Sequence, residues 1–183
     1  RRLAALGAAC RVVSAGPEGR VRPRDVAAAV DRDTAIVSVM LVNNETGVVQ
    51  PVAEIAGAVR AAAGGRRVIV HTDAVQALGK LPFAPGALDV DAASVSAHKI
   101  GGPRGIGALW LRAGTGLPVV AAGGGQERGV RPGTENVAGA AGFAAAAEAR
   151  LARLAADTPR ARDLAARLVR GLASVPGARL FPS

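Results

Sequence analysis

Residues 34–63 read TAIVSVMLVNNETGVVQPVAEIAGAVRAAA, an apolar run followed by a polar loop and an amphipathic segment. The run Thr34–Val42 is continuous, which is typical of a strand covered on both faces of a sheet. Pro51 suits the first position of a helix, and the apolar spacing after it predicts a helix through Ala63, where Gly64 supplies a stop. This strand–loop–helix unit indicates an α/β fold.

The same alternation continues on both sides of this unit. Further strands are predicted at Arg11–Ser14, Val68–His71, Val90–Ala97, Ile106–Leu111 and Leu117–Ala121. Further helices are predicted at Arg24–Val30, from Val137 to about Ala155 and from Pro159 to Ala173. Strands that alternate with helices favour a mostly parallel sheet flanked by helices. The strand at 106–111 is the candidate for an antiparallel one, because only Gly-rich sequence separates it from its predecessor.

The composition is that of a globular domain. The 183 residues are 50% hydrophobic and 20% charged, which is too apolar for a disordered segment. One cysteine, Cys10, excludes a disulfide framework, and with two histidines we expect no metal site. No apolar run is long enough to span a bilayer and no signal peptide is visible, so we expect a cytoplasmic protein with no membrane partner.

The net charge of +9 raises the question of nucleic-acid binding. The arginines are scattered, with no run longer than two, and there is no tyrosine on which bases stack. The charge therefore favours solvated faces, and we expect no nucleic-acid partner. A non-catalytic basic binding module remains the alternative of a different class.

Lysine is scarce in this chain. Only Lys80 and Lys99 are lysines among 23 basic residues, so arginine is the default cation. Arginine cannot replace lysine as an amine nucleophile, because the guanidinium stays protonated. We assign Lys80 to a solvated loop and retain Lys99 as the candidate reactive amine.

Polar residues follow three of the apolar runs. Asn44, Asp73 and Lys99 each come shortly after a predicted strand, and ligands of open α/β sheets bind outside the carboxyl ends of the strands. An amine and a carboxylate at one rim fit pyridoxal phosphate, whose aldehyde bonds to a lysine and whose pyridine nitrogen pairs with an acid. Gln76, three residues after Asp73, is placed toward the same ligand by a helical turn.

Ser96 and His98 complete this set of candidates. Both alternate with Lys99 along the predicted strand, so we expect their side chains to point away from it and to hold a phosphate. His71 is interpreted as a satisfied histidine at a strand end and is left out of the set.

Four motifs resemble the cysteine desulfurases, pyridoxal-phosphate enzymes of the class V aminotransferase group. They are VNNETGVVQP (42–51), HTDAVQALGK (71–80), SVSAHKIGGPRGIGALWLR (94–112) and GGGQERGVRPGTEN (123–136). The motifs occur in the family's order, and the resemblance covers roughly residues 10–180. It implies the large domain of the pyridoxal-phosphate transferase fold type I.

The resemblance also implies a role for each candidate residue. Lys99 is the Schiff-base lysine and proton shuttle, Asp73 pairs with the pyridine nitrogen, and Gln76 binds the ring oxygen. Asn44 lies near that oxygen and the substrate carboxylate.

The resemblance likewise implies that Ser96 and His98 bind the cofactor phosphate. Thr134 reaches the phosphate of the partner subunit's cofactor, which implies a homodimer.

The implied reaction converts L-cysteine to L-alanine and leaves a persulfide on an enzyme cysteine. The sulfur then passes to an iron–sulfur scaffold or another acceptor. A selenocysteine lyase or an aminotransferase of the same class is the alternative within the family.

The family's ring-stacking histidine and phosphate loop precede the matched stretch, and its nucleophilic cysteine and substrate arginine follow it. Cys10 lies in the wrong region to be that nucleophile. We therefore expect a central fragment, truncated at both ends and inactive alone. Its predicted parts are a partial large domain at 1–136, a helical connection at 137–174 and the start of a small domain at 175–183.

Overall fold

The computed structural model describes residues 5, 7–117 and 122–181. Among these residues are a four-stranded sheet and several α-helices. In chain order these are α1 (Pro23–Ala29), β1 (Ile36–Met40), α2 (Val52–Ala63), β2 (Ile69–Asp73), β3 (Ala92–Ser96), β4 (Gly107–Leu111) and α3 (Val137–Ala173). Short 3-10 turns lie at Pro85–Leu88, Ala97–Ile100 and Gln126–Gly129.

The sheet has the order β1–β2–β3–β4. The pairs β1–β2 and β2–β3 are parallel, and β3–β4 is antiparallel. The α/β fold with a mostly parallel sheet is confirmed, and so is the antiparallel strand inferred from the Gly-rich connection.

The core lies between one face of the sheet and the helices α1 and α2. The apolar face of α2 is buried, and it packs with Val26 of α1 and with Val70 of β2. This face consists of Val52, Ile55, Ala56, Val59 and Ala63. Gly64 ends α2 in the left-handed region at φ 59°, a conformation that glycine adopts without a steric cost. Burial of this apolar stripe is the main stabilisation available to the unit.

The opposite face of the sheet is partly open. Ile36 on this face is 57% exposed and Leu109 is 48% exposed. The expectation that the first long strand is covered on both faces is therefore wrong for the described residues. A continuous apolar run does not distinguish one covered face from two, since side chains alternate across the sheet.

The strand predicted at Arg11–Ser14 is absent, because this segment pairs with no other strand. Val12 is 87% exposed, and the Arg11 side chain instead donates to the carbonyl of Ala29 at 2.8 Å. The strand predicted at Leu117–Ala121 falls largely outside the described residues.

The two helices predicted after residue 137 form one helix, α3, with Pro159 inside it. Residues 143–158, which precede the proline, favour continuation, since they contain no glycine and Asp157 is ion-paired with Arg150 at 3.4 Å. The helix is exposed around Pro159, so water can bond the carbonyl that proline leaves free. That α3 leads to a second domain remains a prediction.

In the described ranges, every helix falls short of the length and apolarity that a bilayer crossing requires.

We predict that Val59→Ala in α2 lowers the free energy of unfolding by about 2–3 kcal/mol, because it opens a cavity under the sheet. Val59 is fully buried. Urea denaturation measures the change, and Val12→Ala is the matched control at an exposed site. Equal stabilities for the two variants would contradict the placement of the core.

Candidate active site

The carboxyl ends of β1, β2 and β3 lie at one edge of the sheet, because these strands are parallel neighbours. Met40 pairs with Asp73, and Asp73 pairs with Ser94, two residues before the end of β3. The amide of Ala74 donates to the carbonyl of Ser94 at 2.9 Å and joins the end of β2 to β3. The segments that follow β1, β2 and β3 along the chain therefore begin close to one another in space.

Asp73 is the last residue of β2 and is half-buried. One carboxylate oxygen, Oδ1, accepts a hydrogen bond from the amide of Val75 at 3.0 Å and so caps the turn that follows. Among the described residues, Oδ2 receives no hydrogen bond. The carboxylate is thus fixed by one oxygen and can bind a cationic group through the other.

Gln76 lies in the hydrogen-bonded turns after β2, where the sequence predicted a helical turn. The amide of Leu78 donates to the carbonyl of Ala74 at 3.1 Å, so the chain turns as it does in one turn of a helix. The side-chain oxygen Oε1 of Gln76 accepts a hydrogen bond from Nζ of Lys80.

Lys80 is therefore part of the site region and not a solvated loop residue, which corrects the expectation from sequence. Burial lowers the pKa of Lys80 below its usual value, and the positive charges of Lys99 and Arg150 lower it further. The scarcity of lysine was the signal in the sequence that marked this residue.

Lys99 lies in the 3-10 turn Ala97–Ile100, which follows β3 directly. Ala97 and Ile100 are buried and anchor the turn, whereas the side chains between them are exposed. Gly101 ends the turn at φ 91°, a conformation that L side chains rarely adopt. The turn therefore presents the Lys99 amine to solvent at the edge where Asp73 lies.

Ser96 and His98 are joined by a hydrogen bond of 2.8 Å between Oγ and Nδ1. The expected strand alternation does not apply to His98 and Lys99, because β3 ends at Ser96 and the chain enters the 3-10 turn. The turn brings the hydroxyl and the imidazole together instead. A serine hydroxyl and a histidine N–H can each donate a hydrogen bond to an anionic oxygen.

Asn44 lies at the tip of the loop after β1, which an antiparallel bridge between Val42 and Val49 closes. The neighbouring Asn43 shapes the loop, since its Oδ1 accepts from the amides of Glu45 and Thr46, both at 2.9 Å. Asn44 is exposed on this loop. Its amide is thus held at the same edge without a structural role of its own.

Thr134 is exposed in the segment before α3, where Asn136 caps the helix by accepting from the amide of Gly139 at 2.9 Å. Within the described part of the chain, no hydrogen bond joins Thr134 to the other candidate residues. Six of the seven candidates thus lie at or after the carboxyl ends of β1, β2 and β3, whereas Thr134 comes from the segment before α3.

His71 lies on the partly open face of the sheet, two residues before Asp73. Its Nδ1 is hydrogen-bonded to Oγ of Ser38 at 2.8 Å, and its Nε2 to Oγ of Ser94 at 2.6 Å. Burial lowers the pKa of His71, and the negative charge of Asp73 opposes that shift. The imidazole links three strands and is satisfied on both nitrogens, as the sequence analysis expected.

The side chains at this edge fit pyridoxal phosphate by their chemistry. The cofactor needs an amine for its aldehyde, an anion for its ring nitrogen and donors for its phosphate and ring oxygen. Lys99 offers the amine, Asp73 a carboxylate oxygen to which no described residue donates, and Ser96 with His98 a hydroxyl and an imidazole that can donate to a phosphate.

The sequence profile of the family Aminotransferase class-V matches residues 1–183. A curated relative, the cysteine desulfurase IscS of Anaeromyxobacter dehalogenans, is 51% identical over 152 residues, which are 82% of this chain and 36% of the relative. The chain thus spans about a third of the length of that relative.

Solved structures share the fold. A NifS-like protein matches with a TM-score of 0.88 and 40% identity over 94% of this chain and 47% of its own. SspA in complex with cysteine matches with a TM-score of 0.73 and 33% identity over 80% of this chain and 42% of its own.

We predict that His71→Gln reduces the loss of stability in mild acid. Because burial lowers the pKa of His71 below its usual value of 6.5, the unfolded state takes up the proton first, and stability falls as the pH drops through 6.5. Urea denaturation between neutral pH and pH 5 measures the slope. The control Ser38→Ala keeps the imidazole and should keep the slope, whereas equal slopes in wild type and His71→Gln would contradict the prediction.

Proposed function

The chain belongs to the class V aminotransferase family, and on that basis we propose that the protein containing it is a pyridoxal-phosphate-dependent cysteine desulfurase. The observation that carries the proposal is the edge shared by β2 and β3, where the Asp73 carboxylate and the Lys99 amine follow adjacent parallel strands. Relatives and solved neighbours named as desulfurases or NifS-like proteins support it.

When bound, pyridoxal phosphate supplies an electron sink for the negative charge that develops on the substrate carbon. Lys99 would hold the cofactor covalently through Nζ, and its amine, once the substrate's amino group has replaced it, would move protons to and from the substrate. The exposed position of Lys99 on its turn supports this role, because the amine is accessible.

Asp73 orients the cofactor ring and keeps its nitrogen protonated. A carboxylate beside a ring nitrogen favours the charged form of that nitrogen, as any nearby opposite charge does. Because Oδ1 is held by the amide of Val75, the carboxylate does not have to be ordered when the ring binds.

Ser96 and His98 bind the phosphate, and Gln76 and Asn44 donate to the ring oxygen and orient the substrate. The hydrogen bond between Ser96 and His98 supports a joint role, since it holds the hydroxyl and the imidazole side by side before an anion arrives.

The proposed substrate is L-cysteine, which the solved neighbour SspA holds in its complex. We further propose a homodimer in which Thr134 contributes to the partner's cofactor site. Its exposed position in the segment before α3 supports a role across an interface. An iron–sulfur scaffold or another sulfur acceptor is the proposed partner that receives the sulfur.

We predict that Lys99→Ala in the full-length protein lowers alanine release from L-cysteine by about 10²–10⁴-fold, the usual contribution of a positioned proton-transfer group. Borohydride treatment of the wild type, followed by peptide mapping, should place the cofactor on Lys99. Lys80 is the internal control, because it is the other lysine of the chain. A label on Lys80, or unchanged turnover in Lys99→Ala, would contradict the assignment of Lys99 as the cofactor-binding lysine.

We predict that Asp73→Asn weakens binding of pyridoxal phosphate by about 10- to 100-fold, as expected for the loss of a charge-assisted hydrogen bond. A fluorescence titration of the apoenzyme measures the dissociation constant. Asp33→Asn is the matched control, since Asp33 is 80% exposed. If both variants bind the cofactor as tightly as wild type, Asp73 acts only as a cap for its turn.

A further inference from the structure

The contact between Lys80 and Gln76 has a consequence for the proposed cofactor site. A lysine ammonium carries three donors and no acceptor, so the atom of an amide that faces it must be the carbonyl oxygen. The contact to Oε1 therefore fixes which way the amide of Gln76 is turned. Its nitrogen, Nε2, points to the other side and has no acceptor among the described residues.

Lys80 is confined to this position by its surroundings. Its amide donates to the carbonyl of Ala77 at 3.0 Å within the turns after β2. The preceding Gly79 is buried, and a side chain there would meet Arg150 of α3 at 3.0 Å and Ile100 at 3.2 Å. Helix α3 and the 3-10 turn of Lys99 thus close around the segment that carries Lys80.

Two positive charges lie close enough to Lys80 to repel its ammonium group. They belong to Lys99 and Arg150, and both act on Lys80 in the direction that lowers its pKa. Gln76 Oε1 is the acceptor that compensates the ammonium in this environment. The hydrogen bond therefore serves both partners, because without it the amide is free to turn and the ammonium loses its acceptor.

Resting on the proposed function, we propose that Lys80 is a positioning residue that holds the Gln76 amide with Nε2 turned toward the cofactor's ring oxygen. An oxygen that carries negative charge needs a donor, and an amide turned the wrong way would present its carbonyl oxygen instead. Lys80 prevents that orientation. It acts through Gln76 and does not itself touch the cofactor.

The competing explanation is that Lys80 attracts the anionic cofactor only through its charge. A role through charge alone does not depend on Gln76, whereas a positioning role disappears when Gln76 is absent. A double-mutant cycle separates the two, because it measures whether the effects of two substitutions are independent.

The experiment titrates the full-length apoenzyme with pyridoxal phosphate and records the dissociation constant and the absorption maximum of the bound cofactor. Lys80→Met should raise the dissociation constant by about tenfold, the loss expected for a hydrogen bond to a charged group, and should shift the absorption maximum. In a Gln76→Ala background, Lys80→Met should change the dissociation constant by less than about twofold. Lys80→Arg, which keeps a cationic donor, should retain most of the wild-type affinity.

Arg32→Met is the control for loss of one positive charge, since Arg32 is 90% exposed, and it should bind the cofactor as wild type does. Thermal denaturation of each variant checks the fold, and Lys80→Gln replaces Lys80→Met if the latter does not fold. Wild-type affinity in Lys80→Met, or equal losses with and without Gln76, would overturn the positioning role while leaving the proposed function intact. Absence of cofactor binding by the wild type would overturn both.

Discussion

The parallel pairing of β2 with β3 is the constraint on which the candidate site depends, and it is only three residue pairs long. Asp91 stabilises the start of this pairing through two hydrogen bonds to Val70. The amide of Asp91 donates to the carbonyl of Val70 at 2.7 Å, and Oδ2 of Asp91 accepts from the amide of Val70 at 2.8 Å. Arg60 of α2 and Arg112 after β4 clamp Asp91 and Asp89 from two sides. Asp91 is almost fully buried, so loss of either arginine would leave a buried carboxylate with fewer partners, which is costly. This ion cluster lies at the end of the strands opposite to the site, and it sets the register that brings Asp73 beside Ser94.

The two faces of the sheet have different roles, because one face is buried in the core and the other carries the polar side chains next to the site. Val70 and Thr72 of β2 are fully buried, and Val70 belongs to the core that packs against α1 and α2. On the other face, His71 and Asp73 alternate with them and stay half-buried. Because successive side chains of a strand point to opposite faces, one short strand can supply both a core and a polar surface. The hydrogen bonds of His71 to serines on both neighbouring strands satisfy the polar groups of that surface and leave the carboxylate at the edge available.

The sequence was sufficient for the parts of the fold that local patterns determine. The apolar runs that became β1, β2 and β3 and the proline–glycine bounds of α2 are visible without coordinates, and so is the antiparallel β4. The strand expected at Arg11–Ser14 was wrong because β-structure needs a partner strand, which no local pattern reveals. The break expected before Pro159 was wrong because an exposed helix tolerates a proline that water can compensate. Lys80 was missed for a related reason, since Arg150 of α3, which packs against the neighbouring Gly79, comes about 70 residues later in the chain.

The two lysines of the chain have opposite environments, and the difference gives each a separate chemistry. Lys99 is exposed on a tight turn between two buried anchors, whereas Lys80 is half-buried and bonded to Gln76. An amine that bonds to an aldehyde must be accessible, so Lys80, whose Nζ already donates to Gln76, is the poorer candidate. Arginine is the cation at every other basic position of this sequence, and at position 99 it could not serve, because a guanidinium stays protonated and cannot supply the amine.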